Sequence, residues 1–161
     1  MIQLSEEILT IMNKVKENGF EIYLVGGFVR DSVMQKRADD ADFTTNATPE
    51  ETLEIFKDFR TLTTGIKHGT ITVIINHKPF EITTYRIESG YSDNRHPDTV
   101  YFTDKVEEDL SRRDFTVNAI AYSPISGIVD PFGGQNDINA RIIRCVGKPD
   151  DRFGEDALRI L

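Results

Sequence analysis

The chain has 161 residues, 39% apolar and 29% charged, which suits one soluble domain whose core needs no disulfide or metal staple. Cys145 has no second cysteine to pair with, so an intramolecular disulfide is excluded and a reducing, cytoplasmic setting is expected. A net charge of −8 argues against a surface that grips nucleic acid everywhere, no apolar run approaches the ~18 residues of a membrane span, and the opening MIQLSEEILT lacks a basic leader.

Residues 5–17 read as an amphipathic helix, with Ser5 as N-cap, Glu6 and Glu7 in the first turn, and Ile8, Ile11, Met12 and Val15 on one face. Gly19 ends it, and residues 21–25 form a short apolar strand that runs into Gly26-Gly27 and a helix over residues 28–34. A strand passing through two glycines into a helix gathers backbone N–H groups at one point, which suits a phosphate, and Arg30 adds a fork of donors one turn on. A tight turn that merely needs small residues is the plainer reading of Gly-Gly alone.

The stretch ADDADFTT at 38–45 follows. As a strand it places Asp40 and Asp42 on one face and Asp39 on the other; as a helix it would pair Asp39 with Asp42. Phe43-Thr44-Thr45 and the lack of a helical apolar period favour the strand. Two carboxylates on one face suit a hard divalent cation, Mg²⁺ by donor type, and a pair of this kind serves phosphoryl transfer. A solvated acidic turn is the bland alternative. An EF-hand count from Asp40 fails, because Thr45 stands where the sharp-turn glycine belongs and Glu51 has another role.

That role is a capping box: Thr48, Pro49 and Glu51 open a helix with Leu53, Phe56 and Phe59 on its apolar face. Residues 70–75 and 80–85 are β-rich runs joined by Asn76-His77-Lys78, a hairpin. On the second run Glu81 shares a face with Thr83 and Tyr85, either exposed on the sheet or directed at the cleft of the aspartates as a third carboxylate. Residues 87–98 read as a long mobile loop, 100–102 as a strand and 106–110 as a short helix. The type of segment 112–122 stays open, 128–134 is turn-rich, 142–146 reads as a strand, and 151–161 as a helix with no stop signal before the last residue, as if the chain were cut.

In this order VGGFVRD (25–31), DAD (40–42), GIKHGT (65–70), RRDFTVNAIAY (112–122) and RFGEDALR (152–159) resemble the class II, bacterial-type tRNA nucleotidyltransferases, the CCA-adding enzymes of the DNA polymerase β nucleotidyltransferase superfamily. The resemblance implies an α/β (α+β) catalytic head over residues 1–147, with a mixed five-stranded sheet flanked by helices, and the start of a helical neck over 148–161. It implies Asp40 and Asp42 as the metal pair with Glu81 in support, and Gly26, Gly27 and Arg30 near the incoming triphosphate. Arg113 would contact the nucleotide, with Asp114 and Asn118 near its ribose; Arg112 is left outside the site. The resemblance implies that loop 87–98 is the segment that assists the change to A addition and is lacking in enzymes that add only the two Cs, which favours a CCA- or A-adding parent, while GIKHGT resembles the tRNA enzymes more than bacterial poly(A) polymerases.

Asp156 and Arg159, three apart on a helix, share a face. Cytosine and adenine each present an amino donor beside a ring-nitrogen acceptor, so an accepting Asp and a donating Arg match them and leave unsatisfied groups against uracil and guanine. By analogy with groove readout such a match is worth about 1–3 kcal/mol, and the family implies that Glu155 positions the pair. An i,i+3 surface salt bridge is the alternative. In the family this helix continues to a further arginine and a tRNA-holding region, so the chain is expected to be an isolated or truncated head. The expected activity is addition of C and A from CTP and ATP to the tRNA 3′ end with Mg²⁺. A nucleotide- and metal-binding module of poor activity is the other class.

Overall fold

The computed structural model describes residues 2–89, 99–149 and 151. Ser5 caps α1 (Glu6–Glu17) by accepting from the Ile8 N–H at 3.3 Å, and Ile8, Ile11, Met12 and Val15 are its buried face. Strand β1 (Ile22–Val25) is buried along its whole length and ends at Gly26, whose φ of +69° turns the chain into α2 (Gly27–Val33). Strand β2 (Asp42–Thr45) leads to α3 (Pro49–Ile55), opened by the capping box: Thr48 N–H donates to Glu51 at 2.8 Å and Glu51 N–H to Thr48 Oγ1 at 3.2 Å. This helix stops before Phe56, earlier than its apolar spacing suggests, yet Phe56 is buried and meets Phe59 edge-on at 5.9 Å.

Next come β3 (Arg60–Leu62), β4 (Thr70–Ile75), β5 (Lys78–Thr84), β6 (Arg86–Ser89) and β7 (Thr99–Phe102). The β4–β5 hairpin closes through Asn76 and His77, both with positive φ, which is the twist a two-residue turn needs. Helix α4 (Val106–Ser111), β8 (Ala121–Ser123), β9 (Gly127–Val129) and α5 (Gly134–Ala140) complete the described chain.

Seven strands form one sheet in the order β3-β4-β5-β2-β1-β8-β9, with only β2 and β5 parallel. The mixed sheet flanked by helices is as expected, but among the described residues it is two strands wider than five. Strands β3, β8 and β9 have three residues each, too few for alternation to show in a sequence. Residues 142–146 are not a strand: Phe115 and Cys145 make a single bridge, and Ile143 is 78% exposed. Segment 112–122 is a turn, a short 3-10 segment at Thr116–Asn118, and β8. The flanks of the expected loop 87–98 pair instead as the two-stranded β6–β7 ribbon, Ile87 opposite Tyr101 and Glu88 opposite Val100; residues 90–98 lie outside the described residues. Of the expected neck, 148–161, only Lys148, Pro149 and Asp151 are described.

The core lies on both faces of the sheet. Leu24, Phe43, Ile71, Val73 and Ile82 pack against α1, α2 and the Phe56 region on one side. Tyr23, Val25 and Tyr85 pack with Val106 and Leu110 of α4 on the other. Alternation along β1 divides it between these layers, with Val25, which stands opposite Asp42, in the second.

Candidate active site

Register brings the acids together. Asp42 opens β2 and pairs with Glu81 across the parallel β2–β5 contact, while Val25 flanks it on the other side. Side chains at paired positions leave the same face, so Asp42 and Glu81 stand side by side. Asp40 precedes the strand rather than belonging to it, a correction to the strand reading of the whole acidic stretch. Asp39 lines the same groove but pairs with Arg37 at 2.7 Å on the surface, not with Asp42.

Partial burial is the largest influence on the Asp42 carboxyl and raises its pKa; Glu81 raises it further, Arg113 opposes, and Asp40 adds a smaller rise. A carboxylate held against two others in this way is a place where a cation is welcome. Among the described residues no three His, Cys, Asp or Glu side chains converge as a complete metal cage. The donor set is therefore a carboxylate pair, which fits a hard divalent ion whose remaining ligands come from water and phosphate. Asp40, Asp42 and Glu81 also line an open groove of about 1160 Å³ together with Lys36, Arg37 and Lys78.

A polar chain runs beside this edge. Arg30 Nε donates to Asp31 at 2.8 Å and its Nη1 to Asn118 Oδ1 at 2.8 Å, and Asn118 Nδ2 donates to Asp114 at 3.1 Å. The Arg30 Nη2 lies 3.4 Å from where a Cβ on Gly27 would stand. A Cβ on Gly26 would lie 3.6 Å from Arg113 Nη1, so the two glycines keep the backbone open to both guanidinium groups. Asn118 owes its place to the 3-10 segment, which rests on α5: a Cβ on Gly134 would fall 2.2 Å from the Thr116 carbonyl oxygen.

Arg113 is nearly enclosed. Burial and its neighbour Arg112 work against its charge, while Asp109 and Asp42 favour it. Sequence reasoning missed Asp109, which has no exposed surface. It accepts from the Arg86 N–H at 3.0 Å, Thr44 Oγ1 at 3.1 Å and Arg112 Nε at 3.3 Å, and Arg113 Nη2 lies 3.6 Å away. Burial alone would raise its pKa, but the two guanidiniums, the Arg86 N–H and the Thr44 hydroxyl together hold it below the ordinary carboxylate value. The available signal was its spacing: three and four residues before Arg112 and Arg113, between the apolar positions Val106 and Leu110. Arg112 itself bridges Asp109 and Glu88, the latter at 3.5 Å.

Glycines 26 and 27 with Arg30, Arg113, Asp114 and Asn118 thus share one margin with Asp42, whereas Glu155, Asp156 and Arg159 lie outside the described residues. No helix among the described residues is long and apolar enough to cross a membrane.

The family model described as the poly(A) polymerase head domain matches residues 22–144. A CCA-adding enzyme of Lactobacillus gasseri is 47% identical over 153 residues, 95% of this chain and 38% of that protein. One from Staphylococcus aureus is 49% identical over 158 residues, 98% of this chain and 39% of that protein. The chain therefore spans somewhat under two fifths of the length of the curated relatives it matches. Among solved structures, the Bacillus stearothermophilus CCA-adding enzyme in complex with CTP superposes with a TM-score of 0.85 at 42% identity, over 96% of this chain and 36% of that one. A tRNA nucleotidyltransferase complexed with a primer tRNA and an incoming ATP analog gives 0.70 at 29% identity, over 93% of this chain and 42% of its own. The chain belongs to the family of the poly(A) polymerase head domain, and within it groups with the heads of the class II CCA-adding enzymes.

Proposed function

We propose that this chain is the nucleotidyl-transferring head of a CCA-adding enzyme, joining C and A from CTP and ATP to a tRNA 3′ end with release of pyrophosphate. The observation that carries the reading is the pairing of Asp42 with Glu81 at the groove edge, with Asp40 adjacent and Arg113 opposite. Asp40 and Asp42 would hold Mg²⁺, which when bound neutralises charge on the attacking hydroxyl and the leaving pyrophosphate. Glu81 completes the negative edge and orients the pair. Gly26 and Gly27 leave the backbone open to phosphate, and Arg30 and Arg113 supply guanidinium donors to its oxygens. Asn118 and Asp114, fixed to Arg30 and to each other, take the ribose hydroxyls; Glu155 orients Asp156 and Arg159, which select the base. The groove with Lys36, Arg37 and Lys78 receives the RNA 3′ end.

The test is incubation with Mg²⁺, labelled CTP or ATP and tRNA lacking its CCA. Extension is expected, abolished at least 10³-fold by Asp42→Ala, with CTP used in preference to UTP. Unchanged extension by Asp42→Ala would overturn the metal assignment, and equal use of UTP the base-selecting roles of Asp156 and Arg159. The second reading is a head that binds nucleotide without transferring it. It predicts CTP binding with no extension at high protein concentration.

A further inference from the structure

Helix α4 closes over the second face of the sheet, and at its inner side, where Val106 and Leu110 bury apolar surface, Asp109 buries a charge. A helix that needed only to cover the sheet would place an apolar residue there, because an enclosed carboxylate loses its hydration. The two oxygens of Asp109 have separate tasks. Oδ1 accepts from the Arg86 N–H and Arg112 Nε, which ties α4 to the start of β6. Oδ2 accepts from Thr44 Oγ1, two residues along β2 from Asp42, and faces Arg113 Nη2 at 3.6 Å. The Arg113 Nε is buried without an acceptor, so this guanidinium is not held by a partner at every N–H. It still reaches Gly26, with Nη1 3.6 Å from the position of a Cβ there.

We infer that Asp109 is a positioning residue for nucleotide binding: its Oδ2, steadied by the Thr44 hydroxyl, holds the Arg113 guanidinium against Gly26 at the margin that carries Asp42. The inference rests on the reading of this margin as a nucleotide site. Asp109→Asn is the discriminating substitution, because the amide keeps its shape and its Oδ1 can still serve Arg86 and Arg112. Its NH₂ then replaces Oδ2 and meets Arg113 donor to donor.

The measurement is equilibrium binding of CTP with Mg²⁺ and no RNA, so that no turnover intervenes, with a thermal melt of each variant alongside. Asp109→Asn is expected to weaken CTP binding tenfold or more, Arg113→Ala by a similar factor, and the double variant no further than Arg113→Ala alone. A purely structural role would instead add its full loss to that of Arg113→Ala, and that result overturns the inference. So does binding by Asp109→Asn within twofold of the parent. If Asp109→Asn does not melt cooperatively, Thr44→Val decides: a two- to fivefold loss supports the inference, and none overturns it. A parent chain that binds no CTP at all removes the nucleotide-site reading and this inference with it, a result distinguishable from an unaffected variant of a parent that binds.

Discussion

Asp42 stands where burial and the carboxylates of Glu81 and Asp40 disfavour its charge and Arg113 alone favours it. Its folded-state pKa therefore lies above the ordinary value of 3.8. Between those two values the folded chain binds more protons than the unfolded chain, so this group lowers stability as pH rises through that window. Asp42→Asn removes the repulsion. It should raise the melting temperature by a few degrees at pH 7, with the gain shrinking as pH falls through the carboxylate range, while transfer is lost. Millimolar Mg²⁺ should raise the melting temperature of the parent and leave that of Asp42→Asn unmoved, since only a state that binds the ion is stabilised by it. A variant no more stable than the parent at neutral pH would mean the three acids are too well hydrated to repel. The same residue shows how much of the site was legible. The alternation Asp40-Ala41-Asp42 before Phe43 set Asp39 apart from the proposed pair, and Asp39 does go to Arg37, but only Asp42 lies on the strand, so strand alternation does not reach Asp40. Nothing local linked Asp42 to Glu81; that contact exists through a parallel register between residues thirty-nine apart, and the family resemblance supplied it. Asp109 stayed hidden because an Asp directly after Glu107 and Glu108 on a short helix reads as one of a run of solvated first-turn acids.

Among the elements, those with strong local chemistry were legible and those stabilised by packing were not. The capping box of α3 and the two-residue turn at Asn76-His77 need only neighbours in sequence, and both occur where expected. Helix α5 was not expected, since GQNDINA has no apolar period. Its position is set from outside: Asp130 accepts from the Gly134 N–H at 2.7 Å and the Gln135 N–H at 2.9 Å, and Asp137 takes the Thr116 hydroxyl at 2.6 Å. Gly134 lets it approach, since an added Cβ would meet the Thr116 carbonyl at 2.2 Å and Ile120 at 2.8 Å. Gly134→Ala must push α5 away from the segment that carries Asn118, at a cost of about 1–3 kcal/mol or more, and nucleotide affinity should fall with stability. Thr48→Ala is the contrasting change. Loss of that N-cap should cost about 1 kcal/mol in denaturant melts with CTP affinity intact, because no residue of α3 lines the groove. Equal loss of affinity in both variants would mean that the site responds to global stability rather than to the seating of Asn118.

Over the whole molecule, a net charge of −8 bears on the proposed contact with an RNA 3′ end. Long-range attraction to a polyanion is unfavourable, so binding must rely on local cations at the groove. Lys36, Arg37 and Lys78 line it, but Arg37 already pairs with Asp39 at 2.7 Å and Lys78 approaches Glu7 at 3.5 Å. Such a surface neutralises roughly two or three phosphates, and for single-stranded RNA the slope of log K against log salt should then be about −1.4 to −2. Raising salt from ~50 to ~200 mM should weaken a short RNA 3′ end by roughly tenfold, against the ~10³-fold or more of a protein with many phosphate contacts. Fluorescence anisotropy with a labelled single-stranded RNA, titrated at several salt concentrations, measures that slope. Lys36→Ala with Lys78→Ala should flatten it by about 1.4 units while CTP affinity stays unchanged, because neither lysine lies on the margin of Gly26, Arg30 and Arg113. A slope of about −5 or steeper would place the RNA on a broader basic surface than the groove, and an unchanged slope in the double variant would move the 3′ end away from these lysines.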